Sequence, residues 1–184
     1  MLLTRLAIVG NGMVGHHLIQ SLADQDIIDQ YAITLFCEEP QLAYDRVNLT
    51  KYLSGSSSDD LSLGNIGDYE RWGLDVKLGV TVTNIDLQSH CVSASDGSHT
   101  QYHKLILATG SYPFVPPVPG HDLKPCFVYR TLADLDAIEA AAKSAQIGVV
   151  VGGGLLGLEA AKALVDLGLT THVVEFSVLL MMQQ

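Results

Sequence analysis

Residues 6–15 read LAIVGNGMVG, and the reading of this stretch decides the fold. Leu6, Ala7, Ile8 and Val9 form a short run without a polar residue, the pattern of a strand buried on both faces. Gly10, Gly12 and Gly15 follow at G-x-G-x-x-G spacing, and Met13, Val14, Leu18, Ile19 and Leu22 then recur at helical period. A strand, a tight glycine turn and a helix in that order make a dinucleotide pyrophosphate site. In this reading Gly10 makes the turn. Gly12 lacks the Cβ that would keep a phosphate away from the backbone. Gly15 lets the helix pack closely on the strand. The helix N-terminus then offers free N–H groups and the positive end of its dipole.

One such motif is a weak signal, because glycines also serve ordinary tight turns. Two further features strengthen it. Residues 31–37 form a second apolar strand that ends in Glu38, near the offset at which a carboxylate meets an adenosine ribose. The whole pattern also occurs a second time. Val149, Val150 and Val151 lead into Gly152, Gly154 and Gly157, a helix pattern follows, and Val173 and Val174 lead to Glu175. Two complete fingerprints predict two dinucleotides.

The sequence has 184 residues, 48% of them hydrophobic, which suffices for one good domain or two small ones. Its formal net charge of -10 argues against nucleic acid and anionic membrane as partners. Cys37, Cys91 and Cys126 are odd in number and widely spaced, with no CxxC and no zinc pattern, so no metal site is expected. Cys37 reads as a buried thiol, and a reducing cytoplasm fits best. His16 and His17 are adjacent on the first helix, about 100° apart, and are expected to be packing or surface residues rather than metal ligands. No secretory signal and no run long enough to span a membrane is visible.

Along the chain, residues 3–9, 31–37, 75–78, 80–85, 90–95 and 101–109 read as strands, and 13–25 and 68–72 as helices. Residues 55–60, GSSSDD, read as a loop. Asp96-Gly97 is a hairpin signal inside a β-meander, after which the apolar Leu105–Ala108 run returns to the first sheet. Residues 112–125 are rich in proline and read as an extended crossover. Residues 127–129 suggest a short strand, and Thr131 with Asp134 a capping box at the head of a helix. The last elements are a helix over 155–167, ended by Gly168, and a strand over 172–176. The predicted class is α/β: a Rossmann-like FAD-binding domain with a β-meander insertion (1–115), a crossover and linker helix (116–145), and the start of a second Rossmann-like NAD-binding domain (146–184). A strand, a helix and a strand do not complete such a domain, so the sequence reads as the N-terminal part of a longer polypeptide.

The order FAD motif, meander, ATG and NAD motif resembles the two-dinucleotide flavoprotein reductases of the pyridine nucleotide-disulfide oxidoreductase superfamily. FCEEP (36–40), AYDRVNLTKY (43–52), LATGSYP (107–113), CFVYRT (126–131) and VVGGGLLGLEAA (150–161) resemble, more closely, the large subunits of bacterial NADH-dependent assimilatory nitrite reductases. The resemblance implies that Gly10, Gly12, Met13, Val14 and Gly15 line the FAD pyrophosphate and that Glu38 binds the adenosine ribose. It implies Arg46 beside the FAD phosphates or ribose, Lys51 beside the isoalloxazine, Val82 at the adenine through its backbone, and Thr109 and Gly110 closing over the FAD. Gly152, Gly154 and Gly157 are implied for the NAD pyrophosphate, with Glu175 at its ribose. Lys51 and Glu159 are the implied catalytic residues, expected to form an ion pair next to the flavin.

The implied activity takes hydride from NADH onto FAD and passes electrons to a downstream redox domain or small subunit. Siroheme and an iron–sulfur cluster belong to a C-terminal region of that family, for which these three cysteines supply no ligands. Oligomerisation stays open. An NADH-dependent ferredoxin- or rubredoxin-type reductase shares every motif, and a non-catalytic FAD/NAD-binding fragment is the alternative of a different class. A disulfide reductase is disfavoured, because residues 41–53 contain no cysteine pair.

Overall fold

In the computed structural model, which describes residues 3–181, the opening run becomes β1 (Thr4–Val9), and it is buried on both faces as its composition demands. It pairs in parallel with β2 (Tyr31–Cys37) on one side and with β7 (Lys104–Leu107) on the other. β3 (Asp75–Leu78) adds in parallel to β2, giving the order β3-β2-β1-β7. Alternate β1 side chains feed two cores. Leu6 and Ile8 join Ile19 of α1 (Met13–Asp24), Ile33 and Leu35 of β2, and Tyr69 of α4 (Ile66–Arg71). Ala7 and Val9 join Phe36, and also Val92 and Ala94 of a second, antiparallel sheet. That sheet is the meander β4 (Val82–Asp86), β5 (Cys91–Ala94) and β6 (His99–Gln101). Each fully buried side chain, such as Ile8, Ile19 or Leu35, is worth about 1.5–3 kcal/mol of apolar burial.

The chain divides into two compact units. The first runs up to Asp45 and resumes over Ser62–Ser111. The second comprises Arg46–Leu61 and the chain from Tyr112 onward, so residues 46–61, read above as part of the FAD-binding domain, group with the later sequence. In the second unit β8 (Ile147–Val151) pairs in parallel with β9 (Thr170–Val174), and α6 (Leu155–Asp166) packs on both. The short helix α2 (Leu49–Leu53) packs on α6 and on α5 (Leu132–Ala142). Side-chain bonds tie its segment down. Arg46 donates to the Arg130 carbonyl at 3.1 Å, Tyr129 Oη to Thr50 Oγ1 at 3.1 Å, and Tyr52 Oη to Asp136 Oδ1 at 2.7 Å.

Several local expectations need correction. The stretch 101–109 is two strands, not one. The chain leaves the meander at the buried Tyr102 and enters the parallel sheet through His103, whose N–H bonds to the Arg5 carbonyl. β3 belongs to the parallel sheet rather than to the meander. Residues 127–129 form no strand, since the proline-rich segment before them offers no partner edge. Part of GSSSDD is the one-turn helix α3 (Ser58–Leu61), because Ser57 and Asp60 cap each other reciprocally. The Thr131 capping box at the head of α5 is present, with both reciprocal bonds formed. Thr131→Ala is expected to lower stability by about 1 kcal/mol, the usual worth of such a cap, measured by urea unfolding.

Candidate dinucleotide sites

The two glycine turns are built alike, and their outer glycines answer to a positive φ or to a close backbone neighbour. In the first turn Gly10 sits at φ +106, and a Cβ there would strike the Ala108 carbonyl. A Cβ on Gly15 would strike the carbonyl oxygen of Gly10, so the helix cannot sit this close with any larger residue. In the second turn Gly152 has φ +115, and a Cβ on Gly157 would strike the Gly152 carbonyl. The middle glycines behave otherwise. Neither Gly12 nor Gly154 has any heavy atom within 4 Å of where a Cβ would lie, and their φ values of -82 and -77 suit any residue. Among the described residues no contact requires glycine at these two positions.

The helix ends agree with this. Gly12 and Gly154 are the N-caps of α1 and α6, neither end has a side-chain cap, and neither helix has an acid in its first turn. By contrast α4 and α5 are capped by Asn65 and Thr131 and carry Asp68 and Asp134 in their first turns. The protein neutralises those helix ends with its own oxygens and leaves the two behind the glycine turns without such a cap, their first N–H groups and positive dipole ends unopposed by a side chain. Met13 and Val14, 38% and 73% exposed, open α1 with apolar surface. Leu155 and Leu156 do the same for α6 at 53% and 65%. These two leucines were missed in the sequence, although they occupy the Met13 and Val14 positions of the second fingerprint.

Each turn is joined to the strand that carries its acid. Gly10 N–H donates to the Phe36 carbonyl at 2.9 Å, and Glu38 stands exposed two residues on. Gly152 N–H donates to the Val174 carbonyl at 2.8 Å, and Glu175 follows directly. The Glu175 carboxylate accepts from Ser177 N–H at 2.9 Å and from Gly153 N–H. Those two bonds, Ser177 first, hold its carboxyl below the usual glutamate range. Thr109 and Gly110 follow β7 and are exposed, with Ala108 N–H bonded to the Val9 carbonyl at 2.8 Å beside Gly10. Val82 opens β4, half-buried and opposite Ala94.

The expected ion pair between Lys51 and Glu159 is not formed: the two groups do not meet within 4.0 Å. Thr50 turns toward Tyr129, and Glu159 lies close enough to that phenol to push its ionisation up, after burial, the larger cause. The next residue on a helix points about 100° away, which sends Lys51 to solvent. His16 is half-buried and its Nδ1 lies 2.8 Å from Tyr69 Oη, while His17 is exposed. Among the described residues no group of three or more His, Cys, Asp or Glu side chains is placed to hold a metal. Cys37 is buried, donating to the Gln41 carbonyl at 3.2 Å.

The chain is 54% identical to the nitrite reductase NAD(P)H large subunit of Klebsiella oxytoca over 97% of its own length and 19% of that protein. It is 52% identical to the nitrite reductase (NADH) large subunit of Escherichia coli strain K12, over 98% of this chain and 21% of that one. It therefore spans about a fifth of the length of these relatives. Among solved structures, a ferredoxin reductase for the CYP199A2 system of Rhodopseudomonas palustris superposes with a TM-score of 0.87 at 27% identity, covering 96% of this chain and 44% of that one. The reductase of a covalent putidaredoxin reductase–putidaredoxin complex gives 0.86 at 26%, covering 98% and 44%. The family profile of the pyridine nucleotide-disulphide oxidoreductases matches residues 4–184. With its parallel sheet and paired glycine turns, this chain belongs to that family.

Proposed function

We propose that the chain is the electron-entry module of an NADH-dependent nitrite reductase, with FAD at the first glycine turn and NADH at the second. The observation that supports this reading is the pair of helix ends without a side-chain cap, each behind a middle glycine that no contact of the described residues demands. When bound, FAD supplies hydride acceptance from NADH and onward single-electron transfer. The first turn, with Met13, Val14 and Glu38, binds and orients its adenine dinucleotide end, Thr109 and Gly110 close over it, and Val82 meets the adenine through its backbone. Arg46 and Lys51 are assigned to the phosphate or ribose and to the isoalloxazine. Gly152, Gly154 and Gly157 bind the NADH pyrophosphate and Glu175 its ribose. The electrons leave to a downstream redox domain or small subunit. The three cysteines are free thiols, which suits a reducing cytoplasm and offers no disulfide for turnover.

The test uses the purified chain incubated with FAD and freed of excess. A yellow protein that NADH bleaches under anaerobic conditions supports the reading. Yellow protein that keeps its colour points to the non-catalytic fragment, and a colourless one overturns the assignment. In the loaded protein Lys51→Met is expected to slow bleaching about tenfold through loss of a positioned charge, while NADH affinity stays unchanged. An unaltered rate removes Lys51 from the reacting site.

A further inference from the structure

Behind the first glycine turn lies a group of polar side chains that neither fingerprint accounts for. Asn11 stands between Gly10 and Gly12 and is only 6% exposed. Its Oδ1 accepts from Tyr69 Oη at 3.2 Å, while its Nδ2 is buried with no partner. Tyr69, on α4, is fully buried, and its oxygen also lies 2.8 Å from His16 Nδ1. The closeness is built in, since a Cβ on Gly64 would lie 2.8 Å from His16 Cε1 and 3.1 Å from Tyr69 Cε2.

We propose that His16 and Tyr69 are positioning residues for the first dinucleotide turn, forming a relay through which the charge on His16 sets the turn's grip on a pyrophosphate. The proposal rests on the reading of that turn as the FAD site. Tyr69 has one hydroxyl proton to give. An imidazolium carries a proton on Nδ1, so it donates to the Tyr69 oxygen, and Tyr69 must then donate to Asn11 Oδ1. A neutral ring with a bare Nδ1 takes the Tyr69 proton instead. Tyr69 then has nothing for Oδ1, and the Asn11 amide turns over so that Nδ2, otherwise unsatisfied, donates to the Tyr69 oxygen. An unsatisfied buried donor is costly enough to drive that turn.

The groups facing the relay are few. His17 on the same helix disfavours a charge on His16, while Asp68 on α4 and the Leu63 carbonyl favour it. Cys37 on β2 and Asp68 face Tyr69. Burial is the largest influence on His16 and holds its ionisation below the ordinary histidine value. The protonated form places a positive charge on α1 close to its N-terminal end, which favours a bound pyrophosphate. By linkage, FAD then raises the proton affinity of His16 by the same factor.

The experiment measures FAD affinity of the chain against pH by flavin fluorescence, alongside the His16 ring and Asn11 side-chain amide signals in NMR. Affinity is expected to rise about two- to fivefold as pH falls through the His16 midpoint, with the Asn11 Nδ2 protons moving at that same midpoint. Tyr69→Phe leaves His16 titrating, abolishes the Asn11 response and is expected to shrink the affinity change to the part that the His16 charge supplies by itself. If that variant does not fold, His16→Gln takes its place and is expected to give flat profiles. A flat wild-type profile, a midpoint away from that of His16, an Asn11 response that survives in either variant, or an undiminished affinity response in Tyr69→Phe overturns the relay. If the wild-type chain takes up no FAD at any pH, the assignment of the turn falls, and the Asn11 signals alone decide: tracking His16 supports the relay, and standing still overturns it.

Discussion

Gly12→Ala is expected to leave a folded protein that binds FAD about tenfold or more weakly, whereas Gly15→Ala is expected to lose both fold and flavin. The difference follows from where the added methyl goes. At Gly12 it meets nothing within 4 Å, and the backbone is compatible with alanine. The folding penalty is the exchange of a glycine N-cap for an alanine, under about 1 kcal/mol. The methyl instead stands where a phosphate must approach the N–H groups of α1. Displacing a close contact of this kind costs about 1–3 kcal/mol, so affinity falls about tenfold or more. At Gly15 the methyl runs into a carbonyl oxygen of the turn itself. The backbone cannot yield there without separating α1 from β1, where Ile19 and Ile8 are fully buried. A loss of about 3 kcal/mol or more is expected. Thermal unfolding with flavin retention after gel filtration measures both effects. Gly12→Ala with unaltered FAD binding would falsify the assignment of the first turn.

The second site is expected to bind NADH at least about tenfold more tightly than NADPH, a difference of about 1.4 kcal/mol. Glu175 presents a carboxylate at the end of β9, held there by backbone N–H groups of Ser177 and Gly153. Those bonds depress its proton affinity and keep it anionic at neutral pH. An anion accepts from free ribose hydroxyls and repels a 2′-phosphate. Because its carboxyl is depressed, the stability the folded state draws from it is present above the unfolded glutamate value. That stability is lost as pH falls through the lower folded value. Glu175→Gln removes the repulsion and is expected to bring the two nucleotides close together. Calorimetric titration of both into wild type and variant checks this, and equal affinities in the wild type would rule the role out.

Both predictions rest on features readable before any coordinates, because they are local. Strand, glycine spacing, helix and terminal acid lie within some thirty residues and determine one another through backbone sterics. The capping box at Thr131 was readable for the same reason. Longer-range features were not. The apolar content of 101–109 supports one strand as well as two, and only the separate partners Cys91–Ser93 and Leu6–Val9 divide it. The bond of Tyr129 to Thr50, beside Lys51, joins residues 79 positions apart. The His16–Tyr69–Asn11 relay joins residues over fifty positions apart. Nothing in the periodicity of either segment marks it.

The chain passes from the first unit to the second and back before leaving it for good. Neither unit is therefore a contiguous stretch of polypeptide. On a ribosome the first sheet cannot close until β7 emerges, about a hundred residues after the β1 strand it must join. Through that interval β1 and β2 present an open parallel edge, and Arg46–Leu61 waits for α5 and α6, which are made later still. Vectorial synthesis thus delivers every piece of the first glycine turn early and the strand that closes its sheet late.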